Sequence, residues 1–421
     1  MKQWLQEWWQ TIQRFNRNIR LFMLANVFIQ IGMGVFSVMY NLYIRELGLP
    51  ETVNGSVIAM MSLATAIMLV PAGIISDKIG RKWILIVGTI LTAITLAGRS
   101  IVVGEPPMLW LSFATGLIWA FVQVSGVPFL AENSSPKERV HLFSIHFSLV
   151  TVAGVVGNLL GGIFADGFMW LTTMDSVESI RASLLIGVVL FVIGVVPLFQ
   201  LHPLERTHIE VLSKEDGATL EQSTFRQNAK LIVLFAFAQL LIGTGSGLVI
   251  PYLNLYFVNR FDASNSYVGL ILALGSAMTA VAMLIGPLVV KRIGKVNALI
   301  LFQLLSIPFL FLTAFTTSLF WASVGFLLRQ ALMNAGNPIQ SAIAMDIVAD
   351  KYKGLANSVN QMVFNLGWAT MGLPAAWLVT NFGSYWGYAY AFSITGGLYL
   401  TASIYFYIIF GRRWQKKRAA I

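Results

Sequence analysis

Cysteine is absent from the 421 residues. That excludes disulfides, zinc–cysteine centres and thiol catalysis, and leaves the compartment open. Charge is scarce as well: Asp, Glu, Lys and Arg make up 11% of the chain, against about 25% in a soluble domain. Acids are the rarer sign, 18 against 28 bases. The four histidines, His141, His146, His202 and His208, lack metal-ligand spacing, so no metal is expected. No glycine loop ends in the Lys-Ser/Thr pair that holds nucleotide phosphates, so ATP drive has no support. No enzyme constellation and no cofactor signature are found, and no cleavable signal peptide is visible.

What the chain has instead is apolar length. Residues are 57% hydrophobic and the mean hydropathy is +0.74. No soluble core hides that much apolar surface, so the solvent is lipid. A spanning helix takes about 20 mainly apolar residues. The runs predict twelve, over roughly 20–45, 54–76, 82–103, 107–131, 139–166, 181–201, 229–258, 265–290, 296–316, 318–345, 354–381 and 385–411. Before them, Trp4, Leu5, Trp8, Trp9, Ile12, Phe15 and Ile19 recur every three or four positions beside Arg14, Arg17 and Arg20. Segment 1–19 therefore reads as an amphipathic helix lying in the interface. The net charge of +10 would suggest nucleic acid in a soluble protein. Here topology accounts for it, and no nucleic-acid partner is expected. Only Arg45, Arg99, Arg181 and Arg260 fall on the side opposite the termini, and Arg329 falls inside a helix. The positive-inside rule then places both termini in the cytoplasm of a cell-membrane protein.

The longest polar stretch, 202–228, separates a six-helix segment at 20–201 from a second at 229–411. It reads as a cytoplasmic linker, too short for a core of its own; 412–421 is a basic tail. The halves repeat one another. Tyr40-Asn41-Leu42-Tyr43-Ile44 closes the first helix and Leu253-Asn254-Leu255-Tyr256-Phe257 the seventh. Asn26 corresponds to Gln239, Gly55 to Gly269, Ser62 to Ser276 and Ile79-Gly80 to Ile293-Gly294.

Between the second and third predicted helices stands Gly73-Ile74-Ile75-Ser76-Asp77-Lys78-Ile79-Gly80-Arg81-Lys82. It resembles the loop of the major facilitator superfamily, G-x-x-x-D-[RK]-x-G-[RK]-[RK], at every specified position. The resemblance implies an all-α membrane fold of twelve helices in two pseudo-symmetric six-helix bundles, closest to the drug/proton exporter branch. It also implies that Asp77 caps helix 11, and that an acid closing helix 4, here Glu132, receives Arg81. The chain Asp77–Arg81–Glu132 then acts as a conformational gate with Gly73, Lys78, Gly80 and Lys82. Solvated surface pairs are the plainer alternative. Asp346 and Asp350 with Arg292 form the looser expected counterpart. In helix 5, Ala153-x-x-x-Gly157-Asn158-x-x-Gly161-Gly162 is similar to the family's exporter motif, with Ala153 and Asn158 in place of a glycine and the proline. The same glycines also suit close helix packing.

Polar residues in membrane helices face protein or a watery path. On that basis the expected substrate cavity is lined by Asn26, Gln30, Tyr40 and Asn41 of helix 1, Trp119 and Gln123 of helix 4, and Gln239 and Tyr252 of helix 7. Arg329 and Asn337 of helix 10 and Gln361, Asn365 and Trp368 of helix 11 complete it. Every acid falls near a helix end or in a loop, so His146 and Arg329 are the candidates for coupling. Arg329 either meets amide, backbone or solute oxygens or snorkels outward. The resemblance implies a monomeric secondary transporter that moves a small amphipathic or lipophilic solute by alternating access, as proton-linked efflux. Its partners are that solute, protons and membrane lipid. The alternatives are an uptake carrier, a lipid or lysolipid facilitator, and a non-transporting membrane receptor.

Overall fold

A computed structural model describes residues 15–49, 51–202, 225–263 and 265–411. The expected interfacial helix up to residue 14, positions 203–224 of the linker and the basic tail lie outside the described residues. So do the side chains of Gly55, Asn254, Gly269 and Trp368.

The described chain is helical. The helices are α1 Arg17–Glu46, α2 Glu51–Ile79, α3 Arg81–Ile101, α4 Glu105–Glu132, α5 Arg139–Leu171 and α6 Ser176–Ile193, then α7 Phe225–Val249, α8 Asn265–Ile293, α9 Lys295–Phe315, α10 Leu319–Ile347, α11 Lys353–Thr370 and α12 Gly372–Phe406. Short helices Val195–Phe199 and Leu253–Phe261 prolong α6 and α7. The predicted break between the last two spans is found inside α12, where Gly383 leaves helical geometry at φ 73°. Helix starts follow local chemistry. The Asn16 side chain accepts from Ile19 N at 2.8 Å, and Asp175 with Glu178 forms a reciprocal capping box at α6.

Among the described residues, ten helices are long and apolar enough to cross a membrane. α10 falls short because Arg329, Gln330, Asn334, Asn337 and Gln340 interrupt it. α11 falls short because Lys353, Asn357, Asn360, Gln361 and Asn365 interrupt its 18 residues. Outward-facing Ile58, Leu63 and Ile67 of α2, and Val281, Ile285 and Leu288 of α8, are exposed apolar residues, as a lipid-facing surface requires. Many buried hydroxyls donate along their own helices, as Thr89 does to Leu85 O at 2.6 Å and Ser112 to Met108 O at 2.7 Å.

The chain forms two compact units. The first holds α1–α4, α5 from Leu149 onward, α6 and Lys353–Leu355. The second holds Val140–Ser148, α7–α10 and everything described from Ala356. Each unit repeats the other's plan. Glu51 to Asn265, Arg81 to Lys295 and Glu105 to Leu319 are each a step of 214 residues. α2 and α8 both have 29 residues, and α3 and α9 both have 21. The turns that open α3 and α9 use the same device. Gly80 stands at φ 100°, ψ 149° and Gly294 at φ 86°, ψ 164°, a region that only glycine enters without strain. Near the far ends of α3 and α9, Tyr43 donates to Val102 O at 3.4 Å and Tyr256 to Thr313 O at 2.5 Å. Exposed tryptophans mark helix ends in each unit, Trp110 and Trp170 in the first and Trp321 and Trp386 in the second, at positions suited to an interfacial aromatic belt.

Candidate functional site

The α2–α3 turn places an acid at a helix C-terminus and a base at a helix N-terminus, each in an unfavourable dipole field. They satisfy one another and two outside groups. Arg81 donates through Nη2 to Asp77 Oδ1, through Nε and Nη2 to Glu132 Oε1 at 3.1 and 3.0 Å, and through Nη1 to Ser76 Oγ at 2.9 Å. Ser76 Oγ lies 2.6 Å from Ser125 Oγ, which ties α2 to α4. The side chains of Arg81, Asp77 and Glu132 are 6%, 11% and 13% exposed, so these are not solvated surface pairs. The Asp77 carboxylate also accepts from Gly354 N and Leu355 N, both at 3.0 Å. Those two amides belong to the first turn of α11, where free N–H groups and the dipole favour an anion. A Cβ on Gly354 would strike Asp77 Oδ1 and stand 2.7 Å from Arg81 Nη1. Gly73 is buried in α2, whereas Lys78 is exposed and Lys82 reaches over the Trp83 ring at 5.6 Å. The ion-pair chain itself runs Asp77–Arg81–Glu132.

The second unit corrects one expectation. Asp346 pairs with Lys295 at 2.6 Å, not with Arg292, which is exposed. Lys295 and Asp346 stand 214 residues after Arg81 and Glu132, so the base–acid pair recurs at equivalent positions. Lys291 occupies the place of Asp77, so this unit lacks the capping carboxylate. The 214-residue repeat offset carries this information in the sequence.

In helix α5, a Cβ on Gly157 would strike Ile31 O and lie 3.0 Å from Gly34 Cα. Gly161 approaches Met39 Cγ similarly, at 3.0 Å, whereas Gly162 faces open space. The Asn158 amide stands 2.8 Å from Ser37 Oγ. The motif therefore closes α5 onto α1, with Asn158 as a polar tie where the family pattern has proline.

The expected cavity residues divide. Asn41 and Asn337 are exposed; Gln30, Trp119, Gln123, Gln239, Tyr252, Gln361 and Asn365 are half-buried. Asn26 spends its amide on Phe22 O, one turn back, at 2.9 Å. Asn337 donates to Asn334 Oδ1 at 3.0 Å, and the Trp119 ring packs 6.1 Å from that of Phe191. Tyr40 is 3% exposed, so it does not line an open face. His146 is buried in α5 beside Phe147. Arg329 does not snorkel: it is 2% exposed and donates to Tyr399 OH at 2.7 Å and Gln330 Oε1 at 3.2 Å. Ser246 Oγ lies 2.8 Å from the same Tyr399 hydroxyl. Sequence reasoning passed over Tyr399, although Thr395, Tyr399 and Ser403 recur every four residues and form one buried polar stripe of α12. Among the described residues, no group of three or more His, Cys, Asp or Glu could hold a metal ion.

The sequence model described as Major Facilitator Superfamily matches residues 22–238 and 235–420. The multidrug resistance protein MdtG of Proteus mirabilis (strain HI4320) is 27% identical over 89% of this chain and 91% of its own. The quinolone resistance protein NorA of Staphylococcus aureus (strain Mu50 / ATCC 700699) is 28% identical over 35% of this chain and 39% of its own. Among solved structures, the human organic anion transporter MFSD10 (TETRAN) superposes with a TM-score of 0.72 at 15% identity, over 93% of this chain and 99% of that one. At that identity the likeness concerns the fold.

Proposed function

The chain belongs to the major facilitator superfamily, and from that premise we propose that it is a secondary transporter exporting amphipathic or lipophilic solutes from the cytoplasm by alternating access, with protons as the coupling ion. The observation that carries the reading is the double role of Asp77. One carboxylate binds Arg81 and caps two amides of α11. An ion pair that also caps a helix is lost as a unit when the helix start moves by a few ångströms, which gives two discrete arrangements rather than a continuum. The relatives named for multidrug and quinolone resistance support export, as does the glycine-lined contact of α5 with α1. The half-buried stripes carry uncharged amides with Trp119 and Tyr252 among them, which suits amphipathic solutes held by apolar contact and a few hydrogen bonds.

Coupling is assigned to groups at the helix ends and to His146. Asp77 and Glu132 are carboxylates already engaged with a cation, and His146 is the buried imidazole of α5. Residence in the cell membrane with both termini cytoplasmic follows from the charge distribution. Reconstitution into liposomes tests the whole reading. A rhodamine-type dye should leave or enter faster when a pH gradient is imposed and slower when it is collapsed. Flux that ignores the gradient removes proton coupling. Binding without flux in any orientation makes the chain a receptor, and movement of lysolipid alone makes it a lipid facilitator.

A further inference from the structure

Arg99 is two residues from the end of α3 (Arg81–Ile101). An arginine there ordinarily extends its stem and places the guanidinium in the headgroup region. This one is turned inward and is 5% exposed. Its guanidinium carbon stands 4.1 Å from the Tyr40 ring centroid and 5.7 Å from that of Phe36. It donates through Nη1 to a sulfur, Met61 Sδ, at 3.7 Å, and its Nε has no hydrogen-bond partner. Among the described residues no carboxylate pairs with it. The Tyr40 hydroxyl lies beside the guanidinium and Ser112.

The buried guanidinium thus has a thioether and a phenol beside it and, among the described residues, no carboxylate to balance its charge. Packing alone does not call for this arrangement, since a methionine would fill the aromatic slot without a desolvated charge. Arg329 provides the contrast within the same chain, because its guanidinium reaches two oxygen acceptors. Tyr40 and Phe36, neighbouring rings on one side of α1 with centroids 5.8 Å apart, flank the Arg99 guanidinium from that side, and no ring or carboxylate among the described residues is recorded on its other side. A planar fork presented edge-on, with a phenol donor next to it, matches a carboxylate or phosphate oxygen pair and mismatches a cation.

We propose that Arg99 and Tyr40 form an anion-recognition site in the first unit, which receives the carboxylate or phosphate of an amphipathic organic anion while Phe36 and Tyr40 contact its apolar body. This rests on the transport reading above and narrows its substrate class. The site opens to the solute only when α1 and α3 part enough to expose the guanidinium edge.

Matched xanthene dyes test it, with the full chain in phosphatidylcholine nanodiscs and binding read by fluorescence anisotropy. Fluorescein carries a carboxylate; rhodamine 123 is its cationic relative. Wild type should bind fluorescein. Arg99→Gln should weaken that binding about ten-fold or more, the scale of a lost charge-assisted contact, and leave rhodamine 123 within about two-fold. Arg99→Lys should recover part of the loss. Tyr40→Phe keeps the ring and the stack, removes only the hydroxyl, and should cost about three-fold for fluorescein alone; it decides the matter if Arg99→Gln melts early. Unchanged fluorescein affinity in these variants, or equal losses for both dyes, overturns the site. Wild type that binds only rhodamine 123 also overturns it while leaving the export reading in place. If neither dye binds, both readings fall. Adding phosphatidylglycerol to the nanodiscs identifies the source: competition with fluorescein assigns the site to a lipid headgroup, and its absence to the solute, either result upholding anion recognition.

Discussion

At the scale of the residue, Asp77 shows why a motif needs its aspartate and not merely polarity. Asparagine would keep an oxygen for one α11 amide and lose the charge opposite Arg81, which would then rely on Glu132. Asp77→Asn is expected to destabilise the protein by about 1–3 kcal/mol, the range for leaving a mostly buried charge with one fewer partner. Hydrogen exchange at Gly354 and Leu355 should accelerate in that variant. Exchange at wild-type rates would show that the carboxylate does not hold those amides. Gly354→Ala attacks the same contact from the other partner. Its methyl group needs the space of Asp77 Oδ1 and Arg81 Nη1, so it should reproduce the Asp77→Asn exchange pattern with every charge intact, at an overpacking cost of about 1–3 kcal/mol. Arg329→Gln belongs here too. Tyr399 and Ser246 remain hydrogen-bonded to each other, so the fold should survive and the melting temperature should shift little. Substrate flux in liposomes should fall several-fold. A variant with unaltered flux confines Arg329 to holding α10 against α12.

At the scale of the element, α5 is decided by backbone proximity. Gly157 meets Ile31 O and Gly34 Cα with no room for a side chain, and Asn158 adds a hydrogen bond of the kind worth about 0.6–1.7 kcal/mol between membrane helices. Gly157→Leu is therefore expected to separate α1 from α5, with a melting temperature well below that of Gly162→Leu, whose Cβ faces open space. Equal melting of the two would mean that the helices pack by some other surface. The sequence showed glycines at close-packing spacing but could not say which of them touched a neighbour. The same holds for α3. Arg99 looks in the sequence like a topological charge near a helix end, because positive-inside counting weighs position and not direction. Only the positions of Phe36, Tyr40 and Met61 show that it points inward.

At the scale of the whole molecule, duplication makes one unit a control for the other. Both keep the base–acid pair at the 214-residue step, and the first alone adds the capping aspartate. Asp346→Asn should therefore cost stability of the same order as Glu132→Gln without affecting Gly354 exchange. The absence of cysteine allows topology to be read without background. Thr173→Cys, at an exposed site beyond α5, should react with a membrane-impermeant maleimide on intact cells, and Lys78→Cys, exposed in the α2–α3 turn, should react only after permeabilisation. The reverse pattern would invert the proposed orientation.

The sequence alone determined the solvent, the number of spans, the duplication and the charged turn. Each of these is set by properties that act along the chain: apolar length against bilayer thickness, and local spacing of Gly, Asp and Arg. Tertiary structure decided which oxygen answers which nitrogen. Lys295 rather than Arg292 meets Asp346, Tyr399 meets Arg329, and Tyr40 with the Met61 sulfur, not a carboxylate, meets Arg99, because partners across a helix bundle are chosen by the rotation and depth of each helix. A one-dimensional pattern fixes those coordinates only to within a face, and a hydrogen bond requires them to within a few tenths of an ångström.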